Sequence, residues 1–464
     1  MNTKKQHKNY FNGLGTTLLV SAFLFSNFIK SNAQTNPAIL SWLQNTTITG
    51  RHYVSGNSTP IVDAVLANVQ TVQYSSNWVY VSTKGIPTYV TGPFLDGNPS
   101  IASNQNAIFK IPLSPIQNTG TPTNTNGGNI GVFINGVALF DYRDGVSWKN
   151  STNALAGGPI PGGPGDGVWN RDAVVAERGG FDCSKGHPAM GNYHHHQNPS
   201  AFKLDINVLS TICNLYDADG LYAIDSTQHS PLIGFAYDGF PIYGAYAYKN
   251  SNGTGGIVRM KSSYAKRNIT SRNTYANGST VTAGPAVSST YPLGYFREDY
   301  EYIPTTTSTP DYLDEHNGRF CVTPEYPAGI YCYFATVDSA WNSAYPYAVG
   351  PTFYGTKVAS KVTSISEPVT TYLPTSINEL NTSASIQIFP VPASDFIAVQ
   401  LNHLATSNME LELYDASARL IQQVPIYQGS TIAYFDTRKL YAGNYFVKIK
   451  GEGTTTLRKV IITK

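Results

Sequence analysis

The amino-acid sequence predicts a mainly β protein: a loop-rich β domain followed by a small Ig-like antiparallel β-sandwich. Three observations carry this expectation. Charged residues make up only 13% of the 464, while 41 Gly, 28 Pro and 32 Tyr suit short strands joined by many turns. Apolar and polar residues alternate between Gly, Pro and Asn turns over residues 77–94 (NWVYVSTKGIPTYVTGPF) and 129–148 (NIGVFINGVALFDYRDGVSW), the period of strands with one face covered. Towards the carboxyl end, seven short apolar runs follow one another between turn residues: Ile386–Phe389, Phe396–Leu401, 409–414, 420–424, 432–435, 445–449 and 457–462.

The elements follow in chain order. Lys4, Lys5 and Lys8 precede an apolar run over residues 14–29 and then Ser31, Asn32 and Ala33, the layout of a secretory signal peptide over residues 1–33 with cleavage after Ala33. Thr16, Thr17, Ser21, Ser26 and Asn27 interrupt the run, which falls short of the roughly 20 apolar residues that cross a bilayer, so no transmembrane span is expected. Removing it takes away Lys4, Lys5, Lys8 and Lys30 and no acids. The 31 basic side chains become 27 against 29 acidic ones, so no nucleic acid is expected as a partner.

Residues 34–130 read as the N-terminal β region of the working domain, and residues 131–360 as the part that carries its unusual side chains. Helix signals are scarce, and residues 200–216 (SAFKLDINVLSTICNLY) hold the best short candidate. Ser, Thr and Pro dominate residues 361–385, a linker composition, ahead of the sandwich over residues 386–464. The four cysteines are Cys183, Cys213, Cys321 and Cys332. In an exported protein an even count suggests two disulfides, and no C-x-x-C pair points to zinc instead. Three connectivities are possible, with Cys321–Cys332 the favoured local bridge across CVTPEYPAGIYC.

Six of the nine histidines, His187, His194, His195, His196, His229 and His316, fall within residues 187–316. Gly191 and Pro199 bracket the segment GNYHHHQNP, which is too short for a stable helix and is expected to be extended. Alternation then puts His194 and His196 on one face and Tyr193 and His195 on the other. Two imidazoles at i and i+2 can grip one ion at about 2.0–2.1 Å, with a further ligand brought in from elsewhere. His187 precedes His194 across a turn and His229 lies ahead of an apolar run, so the expected metal set is His187, His194, His196 and His229. Imidazole ligands suit zinc or copper. The plainer alternative is a histidine-rich turn whose rings donate to carbonyls and pack on tyrosines.

Other polar groups read more quietly. Asp238 in YDGF is above all a turn residue. Asp314 and Glu315 beside His316 are placed to orient an imidazole. Asp217, Asp219 and Asp225 lack the terminal Glu of a calcium loop and read as a polar turn. The chain contains no G-x-S-x-G, H-E-x-x-H or P-loop sequence, which argues against a serine hydrolase.

Four stretches, GHPAMGNYHHHQNP, HSPLIGFAYDGFPIYGAY, LDEHNGRFCVTPEYPAGIYCYFATVD and YPYAVGPTFYG, resemble the YHYH domain family in order and spacing over roughly residues 131–355. Tyr193, His194 and His196 occupy the first, second and fourth positions of its Tyr-His-Tyr-His motif, and His195 stands where the second tyrosine is expected. The resemblance sharpens fold and site without implying a substrate. Separately, IFPVPASDFIAVQL, LYDASARLI and LYAGNYFVKIKGEGTTTLRKVIITK resemble the type A sorting domain of the Bacteroidetes type IX secretion system, with Val391 where Asn is usual. That resemblance implies an export address read by the type IX secretion machinery, usually removed after passage across the outer membrane. The product would be secreted, either extracellular or attached to the outer cell surface.

Two functions compete. One is a secreted metal-binding protein, using zinc or copper, that could be a metal-dependent enzyme: hydrolysis by a zinc-bound water, or copper redox chemistry beside tyrosines. The other is a non-catalytic binding module for an unknown extracellular ligand, a glycan or a protein, with Trp148, Trp169 and Trp341 as an aromatic platform. Metal-free acid–base catalysis by a histidine pair would instead show a pH dependence near about 6.5.

Overall fold

The structure is a computed structural model that describes residues 36–96, 100–158, 160, 163–200, 220–306, 308–373, 386–401, 404–451 and 454–463. The expected signal peptide, the helix candidate beyond Ser200, Cys213, Asp217, Asp219 and residues 374–385 of the expected linker lie outside the described residues.

Strands dominate, as the composition predicts. Alternation is visible in Ala107–Pro112, which buries Ala107, Phe109 and Ile111 and leaves Ile108 and Lys110 half-buried. This strand belongs to a five-stranded antiparallel sheet in the order Ser360–Val362, Ala107–Pro112, Trp78–Thr83, Val69–Tyr74, Thr370–Tyr372. Its last member comes from the stretch expected to be linker. Thr and Tyr are good strand residues, and the backbone edge of Val69–Tyr74 gives them a partner that composition cannot reveal.

The second sheet has eight strands in the order His187–Ala189, Asn192–His195, Ala138–Phe140, Asn129–Phe133, Leu232–Ala236, Pro241–Tyr243, Ile330–Phe334, Gly318–Cys321. Neighbours run antiparallel except for two parallel pairs, Asn192–His195 on Ala138–Phe140 and Pro241–Tyr243 on Ile330–Phe334. Its middle strand, Leu232–Ala236, is buried at every position. The two sheets share one core that includes Val81, Phe109, Val132, Phe133, Phe235 and Ile242, so residues before and after position 130 pack as one unit.

Two expectations are corrected here. Trp148 and Trp169 are buried in a cluster with Phe296, and Trp341 is half-buried against another that includes Phe389 and Tyr434. Trp169 even spends its Nε1–H on the Thr282 carbonyl at 2.9 Å. Trp148 and Trp169 are core residues and Trp341 packs half-buried at a core edge, so the three form no surface platform. Cys321 and Cys332 are buried free thiols on adjacent strands. The register sets Cys321 opposite Ile330 and Cys332 opposite Arg319, so the two are diagonal neighbours. Diagonal positions lie about 7–8 Å apart, wider than the usual 4.4–6.8 Å Cα span of a disulfide.

All seven apolar runs of the carboxyl region are strands. Ile386–Phe389, Phe396–Leu401 and Ile432–Asp436 form one antiparallel sheet; Leu420–Ile426, Met409–Asp415, Gly443–Gly451 and Thr454–Ile462 form the other. They enclose a core with Ile397, Val399, Leu411, Leu413, Phe435, Val447 and Val460.

Candidate metal centre

The site begins with a two-residue turn. Met190 and Gly191 both have positive φ, 51° and 83°, as a tight hairpin of the right twist requires. Gly191 has a second reason to be glycine, since a Cβ there would lie 2.0 Å from the Ser103 hydroxyl oxygen. The turn fixes the register Ala189 opposite Asn192, Pro188 opposite Tyr193 and His187 opposite His194. Directly opposed residues share a face, and so do residues two apart on one strand. His187, His194 and His196 therefore converge, with one nitrogen of each within 4.8 Å of the others, and all three are buried.

Their hydrogen bonds set the tautomers. His194 Nδ1 donates to the Asn192 carbonyl at 2.8 Å, and His196 Nδ1 donates to the Asp141 carbonyl at 2.6 Å. A carbonyl only accepts, so in the neutral rings the single proton sits on Nδ1 and each Nε2 carries a lone pair. Those two Nε2 atoms lie 3.1 Å apart, and His187 Nε2 is 3.3 Å from His196 Nε2. Phe140 stacks on the His194 ring at 3.8 Å, and Phe181 meets His187 edge-on at 4.9 Å, so the rings are held in place from outside.

Burial holds His187 and His194 well below the ordinary histidine value, with the neighbouring imidazoles adding to it, and takes His196 down to about 4. A carboxylate also reaches the cluster. Glu177 Oε2 lies 3.4 Å from His187 Nε2 and 3.6 Å from His196 Nε2. Burial, aided by Asp144 and opposed by Arg171, pushes Glu177 up to about 8. With the imidazoles held neutral and the acid held protonated, these contacts are not ion pairs at neutral pH. A divalent cation among them would keep the imidazoles neutral and reverse only the second tendency, holding Glu177 as a carboxylate. Nothing in the sequence marks Glu177, which sits ten positions before His187 in AERGGFDCSKGH.

The opposite face is a pinned hydrogen-bond network. His195 Nε2 bonds the Tyr89 hydroxyl at 2.6 Å, and the Tyr193 hydroxyl donates to Asp182 Oδ2 at 2.9 Å. Asp182 also accepts from the backbone N–H groups of Gly92, Ser184 and Gly186. Gly186 must lack a side chain, because a Cβ would come within 2.4 Å of the Tyr193 hydroxyl.

The remaining expected residues lie apart. His229 donates from Nδ1 to the Ser230 carbonyl at 2.7 Å and packs its ring on Tyr243 and Tyr248; it is not in the histidine cluster. Asp238 accepts from the Tyr333 hydroxyl and the Gly355 N–H, the structural role its turn suggested. Asp314 is occupied by the Tyr331 hydroxyl, and His316 Nδ1 turns to Thr352. Asp225 caps its own turn through Thr227.

Comparison with known families agrees with this arrangement. Residues 108–345, just over half of the chain, match the family model described as YHYH protein. The chain belongs to the YHYH family. In this YHYH protein the motif tetrad, residues 193–196, lies on the strand Asn192–His195 and the residue that follows it, and the matched span contains the whole histidine cluster and Glu177. Residues 387–463 match the secretion system C-terminal sorting domain, the address of the type IX machinery, which marks the YHYH protein as secreted to the outer surface. No helix among the described residues is long and apolar enough to cross a membrane. No curated protein matches the chain.

Proposed function

We propose that this YHYH protein is a secreted metal-binding protein whose YHYH domain holds one zinc or copper ion through His187, His194 and His196. One observation carries the reading. Two buried imidazoles with their protons committed to backbone carbonyls point bare lone pairs at one another across 3.1 Å. Such an arrangement is repulsive by itself and is relieved by a cation between them. Around a tetrahedral ion with bonds of about 2.0–2.1 Å, ligand atoms are separated by about 3.3 Å, close to the spacing seen here. Phe140, Phe181 and the carbonyls of Asn192 and Asp141 supply the outer support that orients metal-bound histidines.

Delivery completes the proposal. We read residues 1–33 as the cleaved leader and residues 386–464, after the linker, as an Ig-like export domain that is removed. The test is metal analysis of the purified mature protein after export. One equivalent of zinc or copper is expected in the wild type, and His187→Ala, His194→Ala and His196→Ala should each lose most of it. A wild-type chain that takes up no stoichiometric metal when offered either ion refutes the proposal.

A further inference from the structure

We infer that Glu177 is the fourth ligand of this centre, so that a bound zinc ion is closed off by four protein groups and keeps no position for water. The inference rests on the metal-binding reading above. Its geometry is independent of the histidine pattern. Glu177 Oε2 stands 3.4 and 3.6 Å from the Nε2 atoms of His187 and His196, alongside the 3.1 and 3.3 Å separations among the imidazoles. A tetrahedral set with bonds of about 2.0–2.2 Å needs about 3.3 Å between its members.

The backbone holds Glu177 in that place. It closes the short helix Ala173–Ala176, its N–H donating to the Ala173 carbonyl at 2.8 Å, and Asp172 caps the other end by accepting from the Val174 N–H at 2.9 Å. The Ala173 N–H bonds the Tyr142 carbonyl at 2.7 Å. The residue before Tyr142 is Asp141, whose carbonyl takes the Nδ1 proton of His196. One two-residue segment therefore anchors both Glu177 and His196. The two oxygens of Glu177 face different neighbours: Arg171 lies 3.8 Å from Oε1 and is itself bound to Asp144, while Oε2 faces the imidazoles. Arg171 thus favours a carboxylate that binds through one oxygen. Four of the six separations in this set, 3.1–3.6 Å, are near tetrahedral spacing; three imidazoles with a carboxylate oxygen suit zinc, and four protein ligands describe a structural or sequestering centre.

Cobalt(II) substituted into the full chain tests this, with azide as the external ligand and visible absorption as the readout. In the wild type the cobalt bands should not respond to azide. In Glu177→Ala azide should bind and shift the bands, and cobalt affinity should fall at least tenfold. Glu177→Gln keeps the side-chain shape and should bind cobalt more weakly than the wild type while admitting azide; near-ultraviolet circular dichroism confirms that both variants are folded. A wild-type azide response as strong as that of Glu177→Ala overturns the closed centre while leaving the histidine site standing. A wild type that binds no stoichiometric cobalt removes the metal-binding reading and this inference together.

Discussion

Consider truncating each of two adjacent histidines. His195 and His196 are both buried, so His195→Ala and His196→Ala should each cost the metal-free protein about 3–5 kcal/mol, as for other buried rings. Apo stability alone does not separate them. The zinc increment does, because His196 presents Nε2 to the cluster whereas His195 spends Nε2 on Tyr89. A ligand at about 1,000 times its dissociation constant stabilises the folded state by about 4.1 kcal/mol. With unfolding entropy of about 2.1 cal/mol/K per residue, a domain this large should gain roughly 6 °C. His195→Ala should start lower and show the same gain. His196→Ala, with affinity reduced about 100-fold, should keep only ~1.4 kcal/mol, or ~2 °C. The assay is thermal unfolding of the full-length variants, apo and zinc-loaded, at one zinc concentration. Equal increments in the two variants, or an increment kept by His196→Ala and lost by His195→Ala, refute the assignment of faces.

Three further outcomes are expected. Burial lowers His195 to about 3, so between pH 6.5 and that value the unfolded chain holds a proton the folded chain does not; its contribution is full above pH 6.5 and is lost as pH falls. Replacing it by Gln should remove one proton from the pH dependence, flattening the apo stability curve by about 1.4 kcal/mol per pH unit between pH 4 and 6, and an unchanged slope in denaturant titrations contradicts the buried neutral ring. Thiol labelling under denaturing conditions, with the labelled residues mapped by mass spectrometry, should modify Cys321 and Cys332, and protection of both would show that they are oxidised after all. Mass spectrometry of the protein from the outer cell surface should find a start near Gln34 and an end before the sorting domain; an intact chain with both ends argues against the proposed processing.

Much of this protein is legible in its sequence because the relevant physics is local. Strand alternation puts His194 and His196 on one face, and the turn residues Met190 and Gly191 suffice to bring His187 opposite His194. The seven apolar runs near the carboxyl end become seven strands, since each needs only its own period and flanking turns. What the tertiary structure alone decides depends on partners far along the chain. His229 has the right chemistry, yet its strand neighbours turn it towards Tyr243 and Tyr248. Glu177 has no distinguishing pattern and reaches the imidazoles because its helix hangs from Tyr142 while His196 hangs from Asp141. The linker likeness of residues 370–372 yields to an edge strand that offers them hydrogen bonds. Periodicity and register arise within a few residues, whereas the fourth side of a metal centre is set by long-range backbone pairing, held by the burial of the whole core.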